Sequence, residues 1–406
     1  MSAPPQTANL VNHWLKILNS CRQVNGSEDC LYLGLYGRPW TKGQALRPVV
    51  MTFYGGGFVQ GSASFVLPPS AYPILNVSST SDMMFVYPNY RTNVFGFLSG
   101  REVAADPRSD ANAGLLDQDA ALKWVHRNIA AFGGDPARVT IWGQSAGGGS
   151  VIAQTIAHHG GLDVGGGYDE DEEKEKRWGE RPPPLFTQAL ASSPFWPKTY
   201  GAEAPEAQWR YDQVANLTGC AGPRSLACLK AAEVQVLRDA SLAVVDAHKY
   251  TTTTFGWGPV IDGTFLREPL SVAAAATFAK GRGHGHGRNG VQVERAFAMY
   301  NTHEGEGFTP ASLNTTSSTS SAFDDWLRGY LPGLGDDDVA RICEAYPATD
   351  DADADARTRA GLVYRDSVLA CPAYWMAGSA PRGSWLGEYT IPPALHASDV
   401  YWVSLS

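Results

Sequence analysis

The chain has 406 residues, 44% of them apolar and 18% charged, with 41 acidic against 32 basic side chains and a net charge of −9. That balance provides no basic field to neutralise phosphates and argues against a nucleic-acid partner. Length alone suggests two or three domains at about 150 residues each, but large α/β proteins often run this long as one, and a single domain over 1–406 is expected; no apolar run reaches the roughly 18 residues of a membrane span.

In chain order, the first 45 residues read as irregular, and the N-terminus lacks the charged and apolar regions of a secretory signal. Pro48 to Tyr54 is a β-branched and aromatic run that opens into Gly55-Gly56-Gly57, the pattern of a buried strand entering a glycine loop. Met84 to Tyr87 reads as a second strand. From Asn112 to Phe132, the spacing of Leu115, Leu122, Val125 and Ile129 marks one face of a helix, stopped by Gly133-Gly134-Asp135-Pro136. Arg138 to Trp142 is a strand, and Ala146 to Ile156 is apolar enough for a buried helix. Arg295 to Tyr300 and Trp385 to Ile391 are further strand-like runs. Strand alternating with helix predicts a mostly parallel, twisted sheet with helices on both faces.

A low-complexity surface insert is expected near 160–184, where glycines, the run DEDEEKEK and three prolines follow one another. In the run GRGHGHGRNG, His284 and His286 have no third histidine or carboxylate beside them, and no CxxC occurs, so neither a metal nor another cofactor is expected. The six cysteines fall as Cys21 and Cys30, Cys220 and Cys228, Cys343 and Cys371, which suits three short disulfide loops; free buried thiols are the alternative. Sequons at Asn25, Asn76, Asn216 and Asn314 point the same way, to a glycosylated, secreted protein.

Gly143-Gln144-Ser145-Ala146-Gly147 fits G-x-S-x-G between a strand and a small-residue helix. Such an elbow lifts a serine to the carboxyl edge of a sheet, over the positive end of the next helix. A serine nucleophile also needs a base and donors for the oxyanion. The glycine loop at 55–57 offers backbone N–H groups that can approach a carbonyl closely, although a plain flexible turn has the same composition.

These residues carry a resemblance. SEDCLYL at 27–33, YGGGF at 54–58, NYR at 89–91 and GLLDQDAALKWVHRNIAAFGGDPARVTIWGQSAGGGSV at 114–151 resemble the type-B carboxylesterase/lipase family of α/β-hydrolases. GPVIDGTFL at 258–266 and HEG at 303–305 extend the match. The resemblance implies Ser145 as nucleophile, with the amides of Gly56, Gly57 and Ala146 as the oxyanion hole. Family members more often have Glu where this chain has Gln144, a side chain expected to leave the reaction centre. Relative to the family, the chain is short at both ends.

Seven histidines follow the serine: His158, His159, His248, His284, His286, His303 and His396. His396 sits in a loop after a strand-like run, where this fold presents its base, and the family has a similar setting there. Glu304 is the candidate acid, at the end of another strand-like run, with Asp262 as rival and Glu306 behind it. Two functions compete. One is a serine esterase acting on a small-molecule ester; the other is a catalytically impaired, shortened homologue or a non-catalytic adhesion or binding homologue of the same fold. In the family the chain resembles, the loop closed by this cysteine carries the aromatic that stacks on choline or forms a lipase lid; if Cys21 closes on Cys30 here, the enclosed RQVNGSED contains no aromatic and is too short to cover a lipid groove. Small to medium uncharged esters are therefore the expected substrates, with Phe58, Phe195 and Trp196 as candidate apolar walls.

Overall fold

The computed structural model describes residues 27–63, 71–77, 82–157, 184–248, 255–279, 293–314, 320–348, 355–378, 380 and 383–400. Its strands are β1 (Leu33–Tyr36), β2 (Arg47–Phe53), β3 (Met84–Pro88), β4 (Gly134–Gln144), β5 (Gln188–Ser192), β6 (Arg295–Asn301) and β7 (Ser384–Tyr389). They form one sheet in the order β1-β3-β2-β4-β5-β6-β7, with only β1 antiparallel to its neighbour. This is the α/β-hydrolase arrangement.

Period-2 alternation explains why helices are needed on both faces. Val49 and Met51 of β2 pack with Val86 and Ile141 in the main core. Their neighbour Val50 faces the other way, into a second cluster with Phe85, Tyr87 and Trp142, closed by Ala71, Ile74 and Leu75 of the helix Ala71–Val77. On the main face the helix Ala113–Asn128 buries Leu115, Leu122 and Val125, the stripe its spacing predicted. It ends in a tighter turn, Ile129–Phe132.

Three elements differ from expectation. β1 lies within the stretch read as irregular; its four half-buried residues, LGLY, are too few to show a period. β5, QALAS, went unread because alanine carries little strand signal. β4 begins at Gly134, inside the expected stop signal. Residues 158–183, with the surface insert, lie outside the described residues, as does the glycine–histidine run.

The cysteines correct the disulfide scheme. Cys220 and Cys228 are bonded, linking the end of the helix Pro205–Leu217 to the helix Ser225–Ala231. Cys343 and Cys371 are free: Cys343 donates its thiol to Asp324 Oδ1 at 3.3 Å, and Cys371 is exposed at the start of the helix Cys371–Ala377. Cys30 is also a free thiol, and the expected pair with Cys21 falls on a residue that lies outside those described. Among the described residues, the eight-residue separation is the one brought to bonding geometry, with its Cα atoms 5.4 Å apart. Asn76 and Asn216 are exposed, whereas Asn25 and the side chain of Asn314 lie outside what is described. Alkylation without reductant, followed by peptide mapping, is expected to modify Cys371 most readily, Cys30 and Cys343 next, and Cys220 and Cys228 not at all.

Candidate active site

The turn after β4 is built by exclusion. Ser145 sits at φ 58°, ψ −125°, a left-handed backbone that side chains rarely adopt, and the helix Ala146–Ile152 starts at the next residue. A Cβ on Gly143 would run into the Gly147 carbonyl, and one on Gly147 into the carbonyl of Phe53 in β2. The turn is pinned by Ser145 N–H donating to Ser192 O at 3.0 Å and by Phe195 N–H donating to Ser145 O at 2.8 Å. Ser145 is half-buried and so reachable.

The glycine loop packs against this turn. An added Cβ on Gly55 would stand 3.1 Å from Ser145 Cβ, so the two backbones are as close as they can be. Gly56, Gly57 and Phe58 have consecutive positive φ of 114°, 66° and 62°. Successive backbone N–H groups in tight loops can form an anion-binding concavity. Among the described residues, no backbone hydrogen bond outside the helices and strands uses the N–H of Gly56, Gly57 or Ala146. The loop is anchored from behind by Tyr54, whose ring stacks on Tyr90 at 4.1 Å; the Tyr90 hydroxyl donates to Tyr54 O at 2.6 Å. Burial pushes both phenols up, so they remain neutral donors.

Beyond the ends of β6 and β7 the structure brings Glu304 and His396 together. His396 Nδ1 lies 2.9 Å from Glu304 Oε2, and the carboxylate is fully buried while the imidazole is 17% exposed. The other carboxylate oxygen, Oε1, accepts the Asn301 N–H at 3.1 Å. Asn301 also ties the histidine loop to β6. Its side-chain amide donates to Leu395 O at 3.0 Å, Asp399 Oδ1 at 3.1 Å and Ser193 Oγ at 3.3 Å. Ala394 and Ala397, on either side of His396, have φ of 47° and 69°. Strained backbone thus gathers around this site, at Phe58, Ser145, Ser193, Ala394 and Ala397, as it does where geometry matters more than comfort.

Asp262 is elsewhere. It accepts from Asn112 Nδ2 at 2.6 Å and caps its own turn through Thr264 and Leu266 N–H groups. Glu306 faces His303, at 3.4 Å, on the outside. His158, His159, His284, His286 and the side chain of His248 lie outside the described residues. Gln144 corrects one expectation: its side chain does not leave the centre. It is buried, with Nε2 3.3 Å from His396 Nε2, and no hydrogen bond joins Ser145 Oγ to His396.

An aromatic wall closes the space between loop and histidine. The Phe255 ring fills the place of a Cβ on Gly57 and meets Phe195 at 5.3 Å and Phe308 at 5.9 Å. Phe308 turns its edge to His396 at 5.0 Å. Phe58, Phe195 and Trp196 are buried behind it and serve the core as well. Asn301, Asp399, Phe255 and Phe308 had no distinguishing period or motif; Asn301 and Asp399 stand within the NTHEG and HASD runs that hold the acid and the histidine.

Comparison with known proteins follows the same outline. A family model described as the carboxylesterase family matches residues 3–386. Carboxylesterase patB of Aspergillus clavatus is 32% identical over 387 residues, 92% of this chain and 62% of that protein. Secreted lipase 1 of Botryotinia fuckeliana is 35% identical over 259 residues, 63% of this chain and 42% of that protein. The crystal structure of Aspergillus niger EstA superposes with a TM-score of 0.70 at 25% identity, covering 90% of this chain and 65% of that one. The chain therefore spans less than two thirds of the length of these proteins. With the family match running over nearly its whole length, and the elbow, glycine loop and paired Glu and His in place, this chain belongs to the carboxylesterase family.

Proposed function

We propose that the protein is a serine carboxylic-ester hydrolase that works through an acyl-enzyme. The observation that carries this reading is the Glu304–His396 pair at 2.9 Å, facing a strand–helix turn that holds Ser145 at φ 58°. Ser145 Oγ attacks the ester carbonyl while His396 Nε2 takes its proton; the C–O bond to the alcohol breaks, and His396 returns the proton to the departing alkoxide. Water, deprotonated by His396, then attacks the acyl-serine and releases the acid. Glu304 accepts the Nδ1–H, fixing the tautomer and stabilising the cation. The N–H groups of Gly56, Gly57 and Ala146 receive the oxyanion, each such donor being worth about 10²–10³ in rate.

The substrate reading follows from the walls. Phe255 and Phe308 present apolar surface, with Phe195 buried behind them, while the charged side chain against His396 is the carboxylate already committed to Nδ1. We assign small to medium uncharged acyl esters as substrates and expect neither choline selectivity nor activation at a lipid interface. We also assign the protein to an extracellular setting. The Botryotinia relative is named a secreted lipase, Cys220 and Cys228 are bonded, and no described helix is long and apolar enough to cross a membrane.

Ser145→Ala is expected to lower kcat on p-nitrophenyl acetate by at least about 10⁴-fold without loss of fold, as removal of one member of such a unit does. Glu304→Gln should cost about 10⁴-fold and Asp262→Asn less than about tenfold; the reverse order in steady-state kinetics would assign the acid to Asp262. On a panel of acetyl, butyryl and long-chain esters beside acetylthiocholine, the short neutral esters are expected to give the highest kcat/KM. A preference for the choline ester, or a rate jump above the micelle threshold, contradicts the substrate assignment.

A further inference from the structure

Gln144 closes β4 immediately before Ser145, and its amide meets the working edge of His396. The Nδ1 of that imidazole is committed to Glu304 at 2.9 Å, so Nε2 alone is left to exchange a proton with the serine. Gln144 Nε2 stands 3.3 Å from that atom. Its Oε1 is buried and has no hydrogen-bond partner. A neutral imidazole protonated at Nδ1 offers a lone pair at Nε2, which an amide N–H can satisfy. Once Nε2 carries a proton it needs an acceptor instead, and the idle Oε1 supplies one by rotation about the last side-chain bond.

A carboxylate at this position accepts only, and would hold a second negative charge against the imidazolium beside that of Glu304. The other charged groups near the histidine are already engaged. The Asp399 carboxylate, on the same turn, takes the Asn301 amide at 3.1 Å, and Glu306 faces His303. From the helix behind, Arg357 donates to Glu306 O at 3.3 Å and Arg365 to Thr302 O at 2.8 Å. Phe308 contributes only a ring edge.

We infer that Gln144 is a positioning residue for His396, an amide that serves both protonation states of the imidazole and keeps the base usable further into acid than a carboxylate there would. The inference rests on the reading of His396 as the base for Ser145.

The test uses a fluorophosphonate, which reports the base without the natural ester. The Ser145 Oγ–P bond forms, the P–F bond breaks, fluoride leaves and the serine proton passes to His396 Nε2. Labelling rate is measured against pH, with the modified residue mapped, for the native chain and Gln144→Glu. The acid limb of the Glu variant is expected to move up by about one pH unit or more, the size of effect an opposite charge at this distance exerts. Below both midpoints it should label about tenfold more slowly for each unit of that shift. A folded Glu variant with an unmoved acid limb overturns the inference alone, whereas a native chain unlabelled at Ser145 overturns the reading of the site. If the Glu variant does not fold, Gln144→Met decides, since it keeps volume but neither donates nor accepts. About tenfold slower labelling on the plateau supports the inference, and a native rate contradicts it.

Discussion

Steric exclusion at the turn between β4 and its helix is the constraint on which the site depends. β4 runs between β2 and β5 and must reverse into a helix within one residue, without room for a Cβ at Gly143 or Gly147. The only residue left to occupy the strained position is Ser145, which therefore stands out at the sheet's edge rather than in its core. Holding a non-glycine residue there costs of order 1–3 kcal/mol. Close packing on both sides of β2 and β4 sustains that cost, because Val49, Met51, Phe53, Val139 and Ile141 are all essentially inaccessible to water.

The second half of the site hangs from a different support. Glu304 is fully buried, and a buried carboxylate is stable only when its oxygens are satisfied. One oxygen takes the Asn301 N–H and the other faces His396, so the acid and the histidine loop are fixed by the same end of β6. Asn301 then reaches across to Leu395, Asp399 and Ser193, and Ser193 follows the β5 residue that accepts the Ser145 N–H. A change at Asn301 would thus be felt at the histidine, at the acid and at the serine's own turn. Rigid supports of this kind let catalytic side chains sit within fractions of an ångström of working positions.

What the sequence made legible is what short-range physics writes. The strands β2, β3, β4, β6 and β7, the helix stripe of Leu115, Leu122 and Val125, and the glycines around Ser145 all follow from local period or local crowding. Glu304 and His396 were legible as candidates because each follows a strand, although their contact spans 92 residues. What stayed hidden is set by tertiary contact. Gln144 lies one residue from the serine, and nothing in GQSAG tells whether its amide turns toward solvent or toward a histidine 252 positions away. Phe255 and Phe308 meet across the site only because separate loops converge there. The cysteines show the limit of spacing arguments: pairing by order in the chain holds at Cys220–Cys228 and fails at Cys343 and Cys371, which are free.

The central claim is that Ser145 is a nucleophile whose oxyanion is received by three backbone amides. A crystal structure of the chain after reaction with a small alkyl fluorophosphonate tests it most directly. Phosphorus is expected to be bonded to Ser145 Oγ, with the phosphoryl oxygen about 2.7–3.1 Å from the N–H nitrogens of Gly56, Gly57 and Ala146. An adduct on another residue, or a phosphoryl oxygen turned to solvent with those amides unused, would contradict it.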